Sequence, residues 1–155
     1  MIIYSTRLGE IEIQESDIIR FPHALPGFPE ETSFIMFAYE ADSPFFLLQS
    51  TITPELTFAL VDPFEFFKDY EIKLDDETIA ELELSEENYP KIYAIVTVPE
   101  DIKDMTANLI APVVINWKTK TAMQAILEKS GYNIRHRIFP LAPKEESCEK
   151  EKEKE

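Results

Sequence analysis

The sequence predicts a mainly β protein, a small antiparallel barrel-like single domain with two or three short helices. Three observations carry this. Apolar and polar residues alternate with period two, as in "EIEIQ" (10–14), where Ile11 and Ile13 share one face and Glu10, Glu12 and Gln14 the other. Short runs rich in β-branched and aromatic residues recur with turn signals between them. Two of those runs, within "IMFAY" and "VVI", are apolar on both faces, so something must cover the outside of the sheet there. Closing such a sheet into a barrel also removes its exposed edges.

The strand candidates follow in order. After "EIEIQ" come "IIRF" (18–21), "FIMFAY" (34–39), "FFLLQS" (45–50) and "TFALVD" (57–62). "KIYAIVTV" (91–98), "ANLIAPVVIN" (107–116), "TAMQAIL" (121–127) and "YNIRHRIF" (132–139) complete the set. Helical signals cluster between them. In "DPFEFFKDY" (62–70), Asp62 is a candidate N-cap, Pro63 takes the first helical position and Glu65 stands three after the cap. In "DDETIAELEL" (75–84), Asp75 is the candidate cap, acids fill the first turn, and Ile79 and Leu82 are predicted on one apolar face. "PEDIKDM" (99–105) predicts a further turn. Residues 1–143 read as one domain without repeat or linker. The tail 144–155, "KEESCEKEKEKE", is low-complexity charge with nothing to bury and is expected to be disordered.

Charge bounds the function. The formal net charge is −15, from 15 basic and 30 acidic residues. It is spread as −8 over residues 1–64, −9 over 65–104, +4 over 105–143 and −2 over the tail. Such a body repels a phosphate backbone and an anionic membrane alike, which argues against both as direct partners and favours a basic protein partner. Solubility alone is the plainer use of the same acidity. The single cysteine, Cys148, allows no internal disulfide and fits a reducing compartment. The start "MIIYSTRLGE" shows no basic n-region, and no apolar run reaches membrane-spanning length. A cytoplasmic protein, monomeric on its own, is the expectation.

The chain also lacks the parts of familiar active sites. Its three glycines stand apart, so no phosphate-cradling loop or dinucleotide fingerprint can be written; Gly9 and Gly131 read as hairpin turns. His23 and His136 are far apart in sequence with no cysteine beside either, so no metal and no cofactor is expected. No serine occupies a nucleophile elbow, and Trp117 is the lone tryptophan. Carboxylates are plentiful, so a small acidic hydrolase using a carboxylate pair is the competing reading; it needs a cleft that raises one pKa. A purely structural barrel subunit is a third.

Two stretches stand out. "FPHALPGFPE" (21–30) holds three of the eleven prolines, and in "LPGF" Pro26 and Gly27 suit the two central positions of a type II turn. That turn brings Leu25 and Phe28 together, either as a plug for one end of a barrel or as a preorganised contact for a partner. "MTANLIAPVVIN" (105–116) places Pro112 inside an apolar strand, which marks an edge or a bulge. Asn108 can satisfy irregular backbone there through its amide. Bulge architecture and an open edge for a partner are both consistent with this stretch.

Together, "FPHALPGF", "MTANLIAPVVIN" and "YNIRHRIF" resemble the flagellar assembly factor FliW family over essentially residues 1–143. Two departures are Ala24, where a glycine is more usual, and Pro29, where an acid is expected. The resemblance implies a β-barrel-like protein without catalysis. It further implies binding to the RNA-binding translational regulator CsrA, relieving repression of flagellin mRNA, and binding to newly made flagellin. Candidate partner-binding residues are Leu25 and Phe28 in the elbow, Asn108 and Pro112 in the second stretch, and the acids Glu71, Asp76, Glu81, Glu83 and Glu86. Those acids belong to a band, residues 71–87, with eight carboxylates and one lysine, Lys73. Capping accounts for Asp75 and for Glu77 at most.

Overall fold

The computed structural model describes residues 1–25, 27–40, 42–85, 87–127 and 131–139. Expectations that fall on Pro26, Glu86 and the tail 144–155 lie outside those residues. The fold is mainly β. Strands β1 (Ile2–Ser5) and β2 (Gly9–Glu12) form a separate antiparallel hairpin. The main sheet comprises β3 (Ile19–Arg20), β4 (Ser33–Ala38), β5 (Phe45–Ser50), β6 (Thr57–Val61), β7 (Lys91–Thr97), β8 (Thr106–Ala107), β9 (Val113–Asn116), β10 (Thr121–Gln124) and β11 (His136–Arg137). Of these, β3-β4-β5-β6-β7-β9-β10 close on themselves as a barrel, because β10 returns to β3 and β9 returns to β7. Every pairing is antiparallel except β10 with β3, which meet at Thr121 and Arg20. β8 and β11 extend from the far end of β7.

Period-two patterning explains the layers. On β4, Phe34 and Met36 point into the barrel while Ile35 and Phe37 point out. On β9, Val113 and Ile115 point in and Val114 points out. The outward residues are covered as the doubly apolar runs require. Ile3 of the β1–β2 hairpin, with Ile13 and Ile18 after it, packs on Ile35. Helix α1 (Asp76–Glu81) is followed by Leu82, which packs on Val114 and Ala125. Tyr70, Leu109, Leu127 and Ile138 pack on Val61, Ala94 and Val96, the outward residues of β6 and β7.

Several elements differ from expectation. "DPFEFFKDY" forms only a 3-10 turn, Pro63–Glu65, although Asp62 caps it by accepting from the Phe64 N–H at 3.0 Å. Beyond that turn the aromatic residues are drawn into tertiary packing, with Phe66 against Phe45 and Phe139. Thr78 on α1 and Leu82 just after it are buried, four apart, while Ile79 is exposed. "PEDIKDM" supplies another 3-10 turn, Ile102–Asp104, capped by Asp101. The run 107–116 is two strands, not one. Between the pairs Val96–Ala107 and Tyr93–Val113, six residue steps face three on β7, so residues 108–112 form a wide bulge.

Candidate functional site

The elbow plugs the barrel. Phe21 is fully buried and meets Phe34 edge to face, with ring centroids 5.3 Å apart. Gly27 has φ +87°, and the Phe28 N–H donates to the Leu25 carbonyl at 2.8 Å. The turn therefore closes as its sequence requires. Leu25 joins the core at 3% exposure, whereas Phe28 is 37% exposed and rests edge to face on Phe58. Ala24 has φ +57°, a conformation that favours glycine. Burial assigns Leu25 to the plug, and Phe28 keeps an open face.

The second stretch is architectural in the same way. The Asn108 Oδ1 accepts from the Ala111 N–H at 3.1 Å, and the Asn108 N–H donates to Ile95 O at 2.9 Å. Pro112 is buried, and its carbonyl accepts from the Ala125 N–H at 2.9 Å. The missing donor of the proline falls where the strand leaves the ladder. Pro112 offers no side-chain surface to a partner, and the edge it interrupts is occupied by residues 124–127.

The acids are arranged differently. Glu71, Asp76, Glu81 and Glu83 are all exposed. A groove of about 1210 Å³ runs between the segment 71–81 and residues 123–127. Glu71, Asp75, Glu77 and Glu81 line its rim, and Leu74, Met123 and Leu127 give it an apolar floor. At one end His23 Nε2 is hydrogen-bonded to Glu81 Oε2, which ties the elbow to the end of α1. A smaller hollow of about 440 Å³ continues past His23 along Ala24, Leu25, Gly27 and Pro29. The elbow thus forms one end of the groove. Among the described residues, Glu71 and Glu77 make no ion pair, while Lys73 also lines the groove and His23 bonds Glu81.

Three groups show how burial and bonding act here. The Thr78 hydroxyl and then its backbone N–H hold the Asp75 carboxyl below the usual carboxylate range. Burial, with Tyr132 alongside, pushes the Tyr70 hydroxyl well above the ordinary tyrosine range. Burial likewise raises Tyr93. Among the described residues no three His, Cys, Asp or Glu side chains gather as a metal set. No helix among them is long and apolar enough to cross a membrane.

The FliW protein family profile matches residues 2–138. The chain belongs to the FliW family. It is 50% identical over 142 residues to the flagellar assembly factor FliW of Desulfitobacterium hafniense (strain DSM 10664 / DCB-2), covering 92% of this chain and 93% of the relative. With that of Geobacillus kaustophilus (strain HTA426) it shares 46% identity over 132 residues, covering 85% and 91%. A crystal structure of the flagellar assembly factor FliW superposes with a TM-score of 0.84 at 43% identity, covering 90% of this chain and 98% of that one. FliW family membership and the barrel therefore agree with the resemblance carried by "FPHALPGF" and "TANLIAPVVIN".

Sequence reasoning missed a buried polar network. The Ser5 and Thr57 hydroxyls donate to Gln49 Oε1, and the Glu31 carboxylate accepts from Ser50 and Thr53. It also missed Asn116, fully buried, whose Nδ2 donates to Leu82 O at 2.6 Å and whose Oδ1 accepts from the Lys118 N–H at 3.0 Å. The one available signal was a polar residue following three apolar ones at the end of "VVIN".

Proposed function

We propose that this FliW-family chain is a non-catalytic cytoplasmic binding protein that antagonises the RNA-binding translational regulator CsrA. In the same reading it binds newly made flagellin, which couples flagellin translation to flagellum assembly. The observation that carries the reading is the acidic groove beside α1, where Glu71 and Glu77 make no ion pair among the described residues. A protein whose surface contacts RNA carries cations that such a rim attracts. Once docked, the same acids repel incoming phosphate. Placement of the acids adds support. Glu81 and Glu83 sit at the C-terminal end of α1, where negative charge opposes the helix dipole and no basic residue compensates in the last turn. Glu81 is held by His23, but the fold calls for no acid at Glu83.

The hydrolase reading has less behind it. A general acid needs a carboxyl raised by its cleft, and the Asp75 carboxyl in this groove moves the opposite way. The test is calorimetric titration of the chain against purified CsrA, with and without RNA, and against flagellin. Saturable binding to each protein is expected. No heat with either, in a preparation that turns over a sugar or ester library, would reinstate the hydrolase.

A further inference from the structure

The segment between Tyr70 and α1 has an unusual backbone. In "EIKLD" (71–75), Ile72 and Leu74 are half-buried while Glu71, Lys73 and Asp75 are exposed, the alternation of a strand. Among the described residues no strand partners it. The Glu71 N–H donates to the Tyr132 hydroxyl at 2.9 Å, and the Asp75 carbonyl starts the helix ladder by accepting from Ile79. Between them, the backbone N–H and C=O groups of Ile72, Lys73 and Leu74 make no hydrogen bond among the described residues. These three residues form a ridge. The acidic groove lies on one side, and an apolar hollow of about 590 Å³, lined by Phe64, Ile79, Leu84 and Tyr89, lies on the other.

We propose that the acidic groove takes an extended segment of a protein partner in which apolar and basic residues alternate, added as a strand alongside residues 71–75. The free backbone groups supply the ladder. The partner's apolar side chains meet Leu74, Met123 and Leu127, and its cations reach Glu71, Glu77 and Glu81. A helical occupant would cover the ridge without satisfying its backbone, since a helix interior has no spare donors or acceptors. A nucleic acid is repelled by the rim, and a second copy brings another −15. The inference rests on the reading above only for the partner being a basic protein.

The experiment uses the full chain and three fluorescein-labelled nine-residue peptides, read by anisotropy at low and raised salt. One alternates lysine with valine, the second is N-methylated at every other backbone nitrogen on the pairing edge, and the third groups the same residues in blocks. The alternating peptide is expected to bind at least tenfold tighter than the other two. Glu71→Lys with Glu77→Lys is expected to weaken it at least tenfold while the other two peptides change less. Equal binding of all three peptides, or binding of none, would overturn the proposal, as would helical circular dichroism from the bound peptide. Intact CsrA is titrated with the same protein in parallel. Regulator binding without peptide discrimination removes the strand-addition mode and leaves the proposed function. Peptide discrimination without regulator binding does the reverse.

Discussion

Tyr70 ties its segment to the 108–112 bulge through one hydroxyl. Its O–H donates to the Leu109 carbonyl at 2.6 Å, and its ring meets Tyr132 edge to face at 4.8 Å. Burial disfavours the phenolate, so the folded pKa lies above the ordinary 10.0. The unfolded chain therefore ionises first. Tyr70 contributes its full stabilisation below pH 10.0, and that contribution is lost as pH rises from there toward the raised folded value. Tyr70→Phe should show a shallower loss of stability between pH 9 and 11, measured by urea denaturation at each pH. An equal slope in both proteins would contradict this. Asn108 gives a second residue-scale prediction. Its amide satisfies the Ala111 N–H inside the bulge, so Asn108→Ala should cost about 1–3 kcal/mol in chemical denaturation by leaving that donor unpaired. Affinity for CsrA and flagellin should stay unchanged in the residual folded protein. The sequence left Asn108 open between bulge and partner edge, because both uses call for the same side chain. Glu31 and Gln49 were not legible, since their bonded partners include residues 19 and 44 positions away.

At the scale of elements, local chemistry was read well and its extent was not. Asp75 caps α1 by accepting from the Thr78 N–H at 2.8 Å, as its place before an acidic first turn implies. The helix ends with the Leu84 N–H on Ile79 O and the Glu83 N–H on Ala80 O, the paired bonds of a Schellman motif. That motif places Glu83 at φ +55°, a position that favours glycine. Glu83→Gly should therefore raise stability by about 0.5–1 kcal/mol in thermal or urea unfolding. It should also weaken regulator binding by removing a carboxylate from the acidic face. Higher stability with unchanged affinity would take Glu83 out of the binding account. Ile79 was expected beside Leu82 and is instead 38% exposed, because only Thr78 and Leu82 of that turn reach the sheet. Spacing gives the helix; the neighbouring surface selects the face. The bulge at 108–112 was announced by Pro112, while its three extra residues became visible only in the register with β7.

For the whole molecule, antiparallel barrel class followed from alternation and short runs, and the outer covers followed from "IMFAY" and "VVI". The register that closes the barrel did not. β10 meets β3 at one parallel pair, Arg20 with Thr121, on a two-residue strand, and β9 returns to β7. Such a pair leaves no periodic trace. The acids were legible as a band in sequence, but their convergence with His23 and the elbow on one groove needed the fold. The stiff early elbow has its effect at this scale, since the same turn plugs the barrel with Phe21 and Leu25 and ends the acidic groove with His23 and Ala24. Exposed charge of this kind acts over roughly 8 Å at physiological ionic strength, so antagonism driven by it must weaken with salt. The most direct measurement is release of labelled flagellin-leader RNA from CsrA by wild-type protein and by the Glu71→Lys, Glu77→Lys, Glu81→Lys variant, at low and raised salt. The account predicts that wild type releases RNA at low salt, less so at raised salt, and that the variant, with unchanged melting temperature, requires at least tenfold more protein. Equal release by both proteins at both salt concentrations would contradict it.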